Sequence, residues 1–119
     1  MTQSLYERLG GTEGIKKIAN DVVDCHLQNP AIATRFKAAD PDKLKNGAAT
    51  FFISGTGGPS VYKGADMVAT HKHMNISHEE FMAVCDDALS ALQMNGNGQR
   101  EQEEVLFIFY SMRNEVIGV

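Results

Sequence analysis

Apolar residues recur at three- and four-residue steps along most of this chain, the period of amphipathic helices. Ile15, Ile18, Ala19 and Val22, continued by Cys25 or His26, form one such stripe, with Thr12 placed to cap it and Asn29-Pro30 to end it. Upstream, Ser4-x-x-Glu7 reads as a capping box for a short helix that Gly10-Gly11 stops. A one-turn segment carries Ile32 and Phe36. Asp40-Pro41 then supplies an N-cap and a proline at the first helical position of a helix that turns Leu44, Ala48, Phe51 and Phe52 inward. Gly55-Thr56-Gly57-Gly58-Pro59 breaks it.

Residues 64–73 predict a short, weak helix between loops. A second capping box, Ser77-x-x-Glu80, opens a long helix with Phe81, Val84, Cys85, Ala88, Leu89 and Leu92 on one face, and Asn95-Gly96-Asn97-Gly98 ends it. A last helix is expected from about residue 99 to 117, with Val105, Ile108, Phe109, Met112 and Val116 inward. No alternating strand pattern, repeat, low-complexity tract or linker interrupts the series, so the expected fold is all-α, a single domain over residues 1–119.

Composition narrows the partners. The chain has 43% apolar and 22% charged residues, ordinary for a globular protein, and no apolar run approaching the ~20 residues of a membrane span. A net charge of -4 without a basic cluster argues against nucleic acid. The first residues enter a helical pattern with no charged-then-apolar leader, so a cytoplasmic protein is expected. Cys25 and Cys85 fall on apolar faces of separate helices and read as buried thiols rather than a disulfide or metal pair.

Candidate chemistry rests on four histidines, His26, His71, His73 and His78. His26 lies near a helix end, where an imidazole favours the C-terminal dipole, and His78 lies in a first turn, where a neutral, solvated ring is expected. His71-x-His73 makes a poor bare metal site: residues two apart on a helix diverge, and no further Cys/His set completes it. His71 differs in having Met67 one turn before it. The Met67 carbonyl is placed to accept the Nδ1 hydrogen, which leaves Nε2 to bind a metal. Phe36, Phe51, Phe52 and Phe81 provide flat apolar walls suited to a heme, with His71 as axial ligand. On spacing alone the same phenylalanines serve equally well as plain core.

Several pieces in register resemble the truncated hemoglobins, specifically group I. They are Leu5-Tyr6-Glu7-Arg8-Leu9-Gly10-Gly11, Phe36, the stretch from Leu44 to Phe52, Gly57-Gly58-Pro59, Tyr62-x-Gly64-x-x-Met67-x-x-x-His71, and Asn75-Ile76 leading to Phe81. The resemblance covers essentially the whole chain and implies a two-over-two helical sandwich around heme b held without a covalent bond. It implies His71 as the proximal iron ligand and Phe36 as the ring packed against the porphyrin. Leu44, Ala48 and Phe52 match distal-helix positions, Phe52 also matching a residue that gates an apolar gas tunnel. Tyr62, Met67, Phe81 and Val84 match the heme-side motif and heme-contacting positions. Lys45, Lys63, Lys72 and His73 are candidate partners for the propionates.

Where members of that group often carry a tyrosine or histidine aimed at the bound ligand, this chain has Val23, beside Val22; a shift of one turn would instead present Asn20, Asp24 or His26. Leu44, Gly47 and Ala48 stand where glutamine or histidine is frequent, and Glu80-Phe81 where His-Phe is frequent. Thr50 is turned away by its helical phase, and no histidine follows His78 to anchor a heme covalently. The implied protein binds O2, CO or NO reversibly in an apolar distal pocket, as a monomer or weak oligomer served by a reductase, in an oxygen-binding or oxygen-transport role. Nitric-oxide dioxygenase or peroxidase chemistry at the same iron is the alternative.

Overall fold

The computed structural model describes residues 3–62, 67–72 and 74–119, with Val68 described by its backbone alone. Its helices are α1 (Leu5–Arg8), α2 (Gly11–Gln28), α3 (Pro41–Gly55), α4 (Met67–His71), α5 (His78–Met94) and α6 (Gln99–Ser111), with 3₁₀ turns at Ala33–Phe36 and Arg113–Glu115. The α2–α3 pair lies over the α5–α6 pair, and α2 packs against both α3 and α5.

The helix starts follow local chemistry. Ser4 and Glu7 exchange side-chain and backbone bonds at α1, and Ser77 and Glu80 do the same at α5. The Asp40 side chain accepts from the Asp42 amide ahead of Pro41. Each of these ends is thereby supplied with acceptors for amides that have no partner in the helix.

Two expected boundaries are corrected. Thr12 does not cap α2: the helix begins two residues earlier than that cap would set it, at Gly11, with Gly10 as N-cap at φ 101° and no side-chain bond. That left-handed conformation suits glycine, so Gly10-Gly11 turns the chain directly from α1 into α2. Thr12 instead pairs its hydroxyl with that of Tyr6 at 2.5 Å. Gly14 completes the corner, since a Cβ there would sit 2.4 Å from the Leu9 carbonyl oxygen. The last helix stops at Ser111 rather than running to residue 117. A continued helix would carry the chain end away from α5. Instead Ile117 forms a parallel bridge with Ile76, Asn75 N–H donates to Val119 O and Gly118 N–H to Ile76 O, both at 2.9 Å.

Leu9, Ile15, Ile18, Ala19, Ala88, Ala91, Leu92 and Val105 are buried where α2 meets α5 and α6. Cys85 is buried with them and burial pushes its thiol up to about 11, while Cys25 is only half-buried; both are free. Arg8 ties α1 to α6 by bonding Glu101 at 3.0 Å and Glu104 through two guanidinium nitrogens. Replacing the α5 cap in Ser77→Ala is expected to cost about 1 kcal/mol. That should lower the thermal midpoint by roughly 4 °C when followed by circular dichroism.

Candidate functional site

Beside this core the helices leave a cavity of about 380 Å³, within the range of small-molecule sites. Helix α2 contributes Val22, Val23 and His26 to its wall; α3 contributes Leu44, Gly47, Ala48, Phe51 and Phe52 at helical spacing. The 3₁₀ turn brings Phe36, the chain beyond α3 brings Tyr62, α4 brings Met67 and His71, and α5 brings Phe81 and Val84. All ten residues singled out from the sequence, Val23, Phe36, Leu44, Ala48, Phe52, Tyr62, Met67, His71, Phe81 and Val84, therefore face one space. Leu44, Ala48 and Phe51 stay half-buried because their helix face borders the cavity instead of packed side chains.

His71 occupies the last position of α4, half-buried, with its Nδ1 2.8 Å from the Met67 carbonyl oxygen. A carbonyl only accepts, so Nδ1 carries the hydrogen and Nε2 presents a lone pair. One turn of helix is enough to build this arrangement, because the residue at i−4 supplies the acceptor and residue i the ring. His73, Lys63 and Gly64 lie outside the described residues.

The polar rim departs from expectation. Lys45 donates to Asp24 at 3.0 Å, and Lys72 is exposed away from the cavity lining. Among the described residues, the cations that line the cavity are Lys43 and Arg35. Arg35 Nε and Nη2 donate to the Glu80 carboxylate at 2.6 and 2.9 Å, and Nη1 donates to the Met74 carbonyl at 2.9 Å. This fork ties the turn carrying Phe36 to the start of α5. The Arg35 guanidinium, aided by the Ser77 backbone amide, holds the Glu80 carboxyl at about 2, well below the usual carboxylate range.

His26 does more than sit at a helix end. It is 8% exposed, in keeping with its place on the apolar stripe of α2. Its Nδ1 lies 2.7 Å from Asp87 Oδ2, and Asn29 Nδ2 donates to both Asp87 oxygens at 3.2 and 3.3 Å. The ring stacks on Phe36, 8° from parallel with centroids 5.5 Å apart. Asp87 comes from α5, so no local pattern joins it to His26; the only hint was a charged residue interrupting the apolar face of α5. The other candidates of the shifted register turn outward, Asp24 to Lys45 and Asn20 to Asp21 and Asp24. Thr50 donates to the carbonyls of Asn46 and Gly47.

A model of the bacterial-like globins matches residues 4–117. The group 1 truncated hemoglobin of Synechocystis is 31% identical over 97 residues, covering 78% of each chain. The chain belongs to the group 1 truncated hemoglobins. The truncated hemoglobin of Tetrahymena pyriformis is 27% identical over 98% of this chain and 96% of its own length. Its ferric crystal form matches with a TM-score of 0.95 at 26% identity, covering 98% of this chain and 100% of that one. A 2/2 hemoglobin from a Synechococcus species, solved in the cyanomet state with covalently attached heme, matches with a TM-score of 0.89 at 25% identity over 97% and 98% of the chains.

The family is a heme family, and the residues present suit that group. A truncated hemoglobin needs a flat apolar slot, an imidazole with a free Nε2 and a cation at the mouth; Phe36 with Phe81, His71, and Lys43 would supply those parts. The Arg35–Glu80 pair gives the rim a signed pH dependence. Glu80 is depressed in the folded state, so its contribution is present above the ordinary carboxylate pKa and lost as pH falls toward about 2. Both partners are partly exposed, so solvent screening keeps the pair's contribution small. Glu80→Gln should therefore melt below the parent at neutral pH, and the difference should shrink as the pH is lowered through the carboxylate range.

Proposed function

We propose that the chain binds heme b non-covalently, with His71 as axial ligand, and takes up O2, CO or NO reversibly on the side walled by α2 and α3. The observation that carries this reading is the His71–Met67 bond inside a cavity whose remaining walls are mainly aliphatic and aromatic. Heme iron supplies reversible diatomic ligand binding there; the chain supplies the axial imidazole, the apolar walls and a cation for a propionate. Lys43 is the candidate for holding a propionate in this reading, since Lys45 is engaged with Asp24 and Arg35 with Glu80. Helix α6 carries no histidine, which supports a heme held by ligation and packing alone. No helix among the described residues is long and apolar enough to cross a membrane, and we place the protein in the cytoplasm, as a monomer or weak oligomer with a reductase to return ferric iron to ferrous.

Val23, Leu44 and Ala48 offer no hydrogen to a bound ligand. O2 draws negative charge from iron, and a donor to it contributes about 1.5–3 kcal/mol, or roughly 10- to 150-fold in retention. O2 release is therefore fast, and CO, being less polarised, is held comparatively well. A persistent oxygen complex, which nitric-oxide dioxygenation needs, is disfavoured for the same reason.

Two measurements test the assignment. The purified protein should show a Soret band that His71→Ala weakens or abolishes and free imidazole restores; an unchanged spectrum in that variant would remove His71 from the iron. In stopped flow, Val23→Tyr should slow O2 release by about an order of magnitude. Equal release rates would mean that the missing donor is not what limits retention.

A further inference from the structure

The buried His26–Asp87 pair is used neither by the core nor by the gas-binding site described above. Asp87 accepts at His26 Nδ1 over 2.7 Å, and a carboxylate has no hydrogen of its own to give, so the ring hydrogen sits on Nδ1. Nε2 has no protein partner among the described residues. No fully buried side-chain nitrogen or oxygen among them lacks a hydrogen bond, so Nε2 keeps some accessible surface, and His26 is one of the residues that line the cavity. Stacking on Phe36 and the three bonds at Asp87 hold the ring in place.

Among the groups packed around the ring, Asp87 is the charge in contact with it. Asp24 is paired with Lys45, Arg35 with Glu80, and burial raises the Cys25 thiol so that it stays protonated. The result is an imidazole oriented through Nδ1 and backed by a buried carboxylate, in the wall of a mainly apolar site.

We propose that His26, positioned by Asp87, is a proton acceptor in the cavity, so that the site takes small weak acids that bind iron as their conjugate bases: hydrogen sulfide, hydrogen cyanide or hydroperoxide. The proposal rests on the heme reading above. With ferric heme bound, the iron would supply a site for cyanide: for hydrogen cyanide, the H–C bond breaks and its electron pair stays on carbon as the donor pair. The proton passes to Nε2, and the imidazolium so formed stays against Asp87. Nothing is oxidised or reduced. In an apolar cavity a proton released without such an acceptor has no stable place, and a positioned base typically contributes 10²–10⁴ in rate.

His26→Gln keeps an N–H for Asp87 and removes the base. We expect the ratio of cyanide association (ferric form) to CO association (ferrous form) to fall about 100-fold in this variant. Parent and variant should converge at a pH where cyanide is already ionised. An unchanged ratio, or a gap that persists with ionised cyanide, would overturn the proposal; a purely steric change would slow both ligands together. Independently of ligand binding, ¹⁵N-histidine NMR of the parent CO form should show the His26 hydrogen on Nδ1 and none on Nε2. A hydrogen on Nε2 would overturn the proposal even if the variant failed to fold. A parent protein with no Soret band would instead refute the heme reading.

Discussion

One helix has to serve two incompatible neighbours, and the rest of the structure is arranged around that constraint. Toward its N-terminus α2 closes the core with Ile15, Ile18 and Ala19; toward its C-terminus the same helix walls an open cavity with Val22, Val23 and His26. A core favours dense packing, while a cofactor slot must keep its walls apart. The chain separates the two along the helix axis. Gly10 and Gly14 let α2 start hard against α1, which fixes the packed end. The open end is propped by polar contacts that apolar packing would not supply: His26 and Asn29 on Asp87, and Arg35 on Glu80 and Met74.

Much of this was legible in the sequence, and for a physical reason. Helix starts and stops are local, so Ser4-x-x-Glu7, Asp40-Pro41 and Ser77-x-x-Glu80 located their helices, and the His71–Met67 bond was implied by i, i−4 spacing. The wall residues followed from helical phase, which is why Leu44, Ala48 and Phe52 share a face. What escaped was set by distant contact. The end of the last helix depends on where Ile117 meets Ile76, and Thr12 lost its capping role to a glycine conformation two residues before it. That Lys45 pairs with Asp24 depends on how two helices meet. His26 looked like a residue at a helix end because its partner, Asp87, is 61 positions further along.

The site that results is asymmetric in polarity. Around His71 a backbone carbonyl fixes the ring, so the nitrogen left free is decided by chain geometry and not by another ionisable group. On the α2–α3 wall, aliphatic side chains leave a bound ligand without direct help, and the one buried ionisable ring belongs to His26. Neutral gases meet an apolar surface there, and species that must shed a proton meet a base. The departures from the usual group 1 pattern, Val23, Leu44 and Ala48, thus change which ligands gain from the protein rather than whether the cavity forms.

The central claim is that the imidazole of His71, held through Nδ1 by the Met67 carbonyl, is the axial ligand of a five-coordinate ferrous heme. Resonance Raman spectroscopy of the deoxygenated ferrous protein addresses it directly, since an iron–histidine stretching band appears only when a single imidazole is bound opposite an open site. The structure predicts that band, with no low-spin six-coordinate population. Its absence, or a spectrum dominated by a six-coordinate low-spin form, would contradict the account.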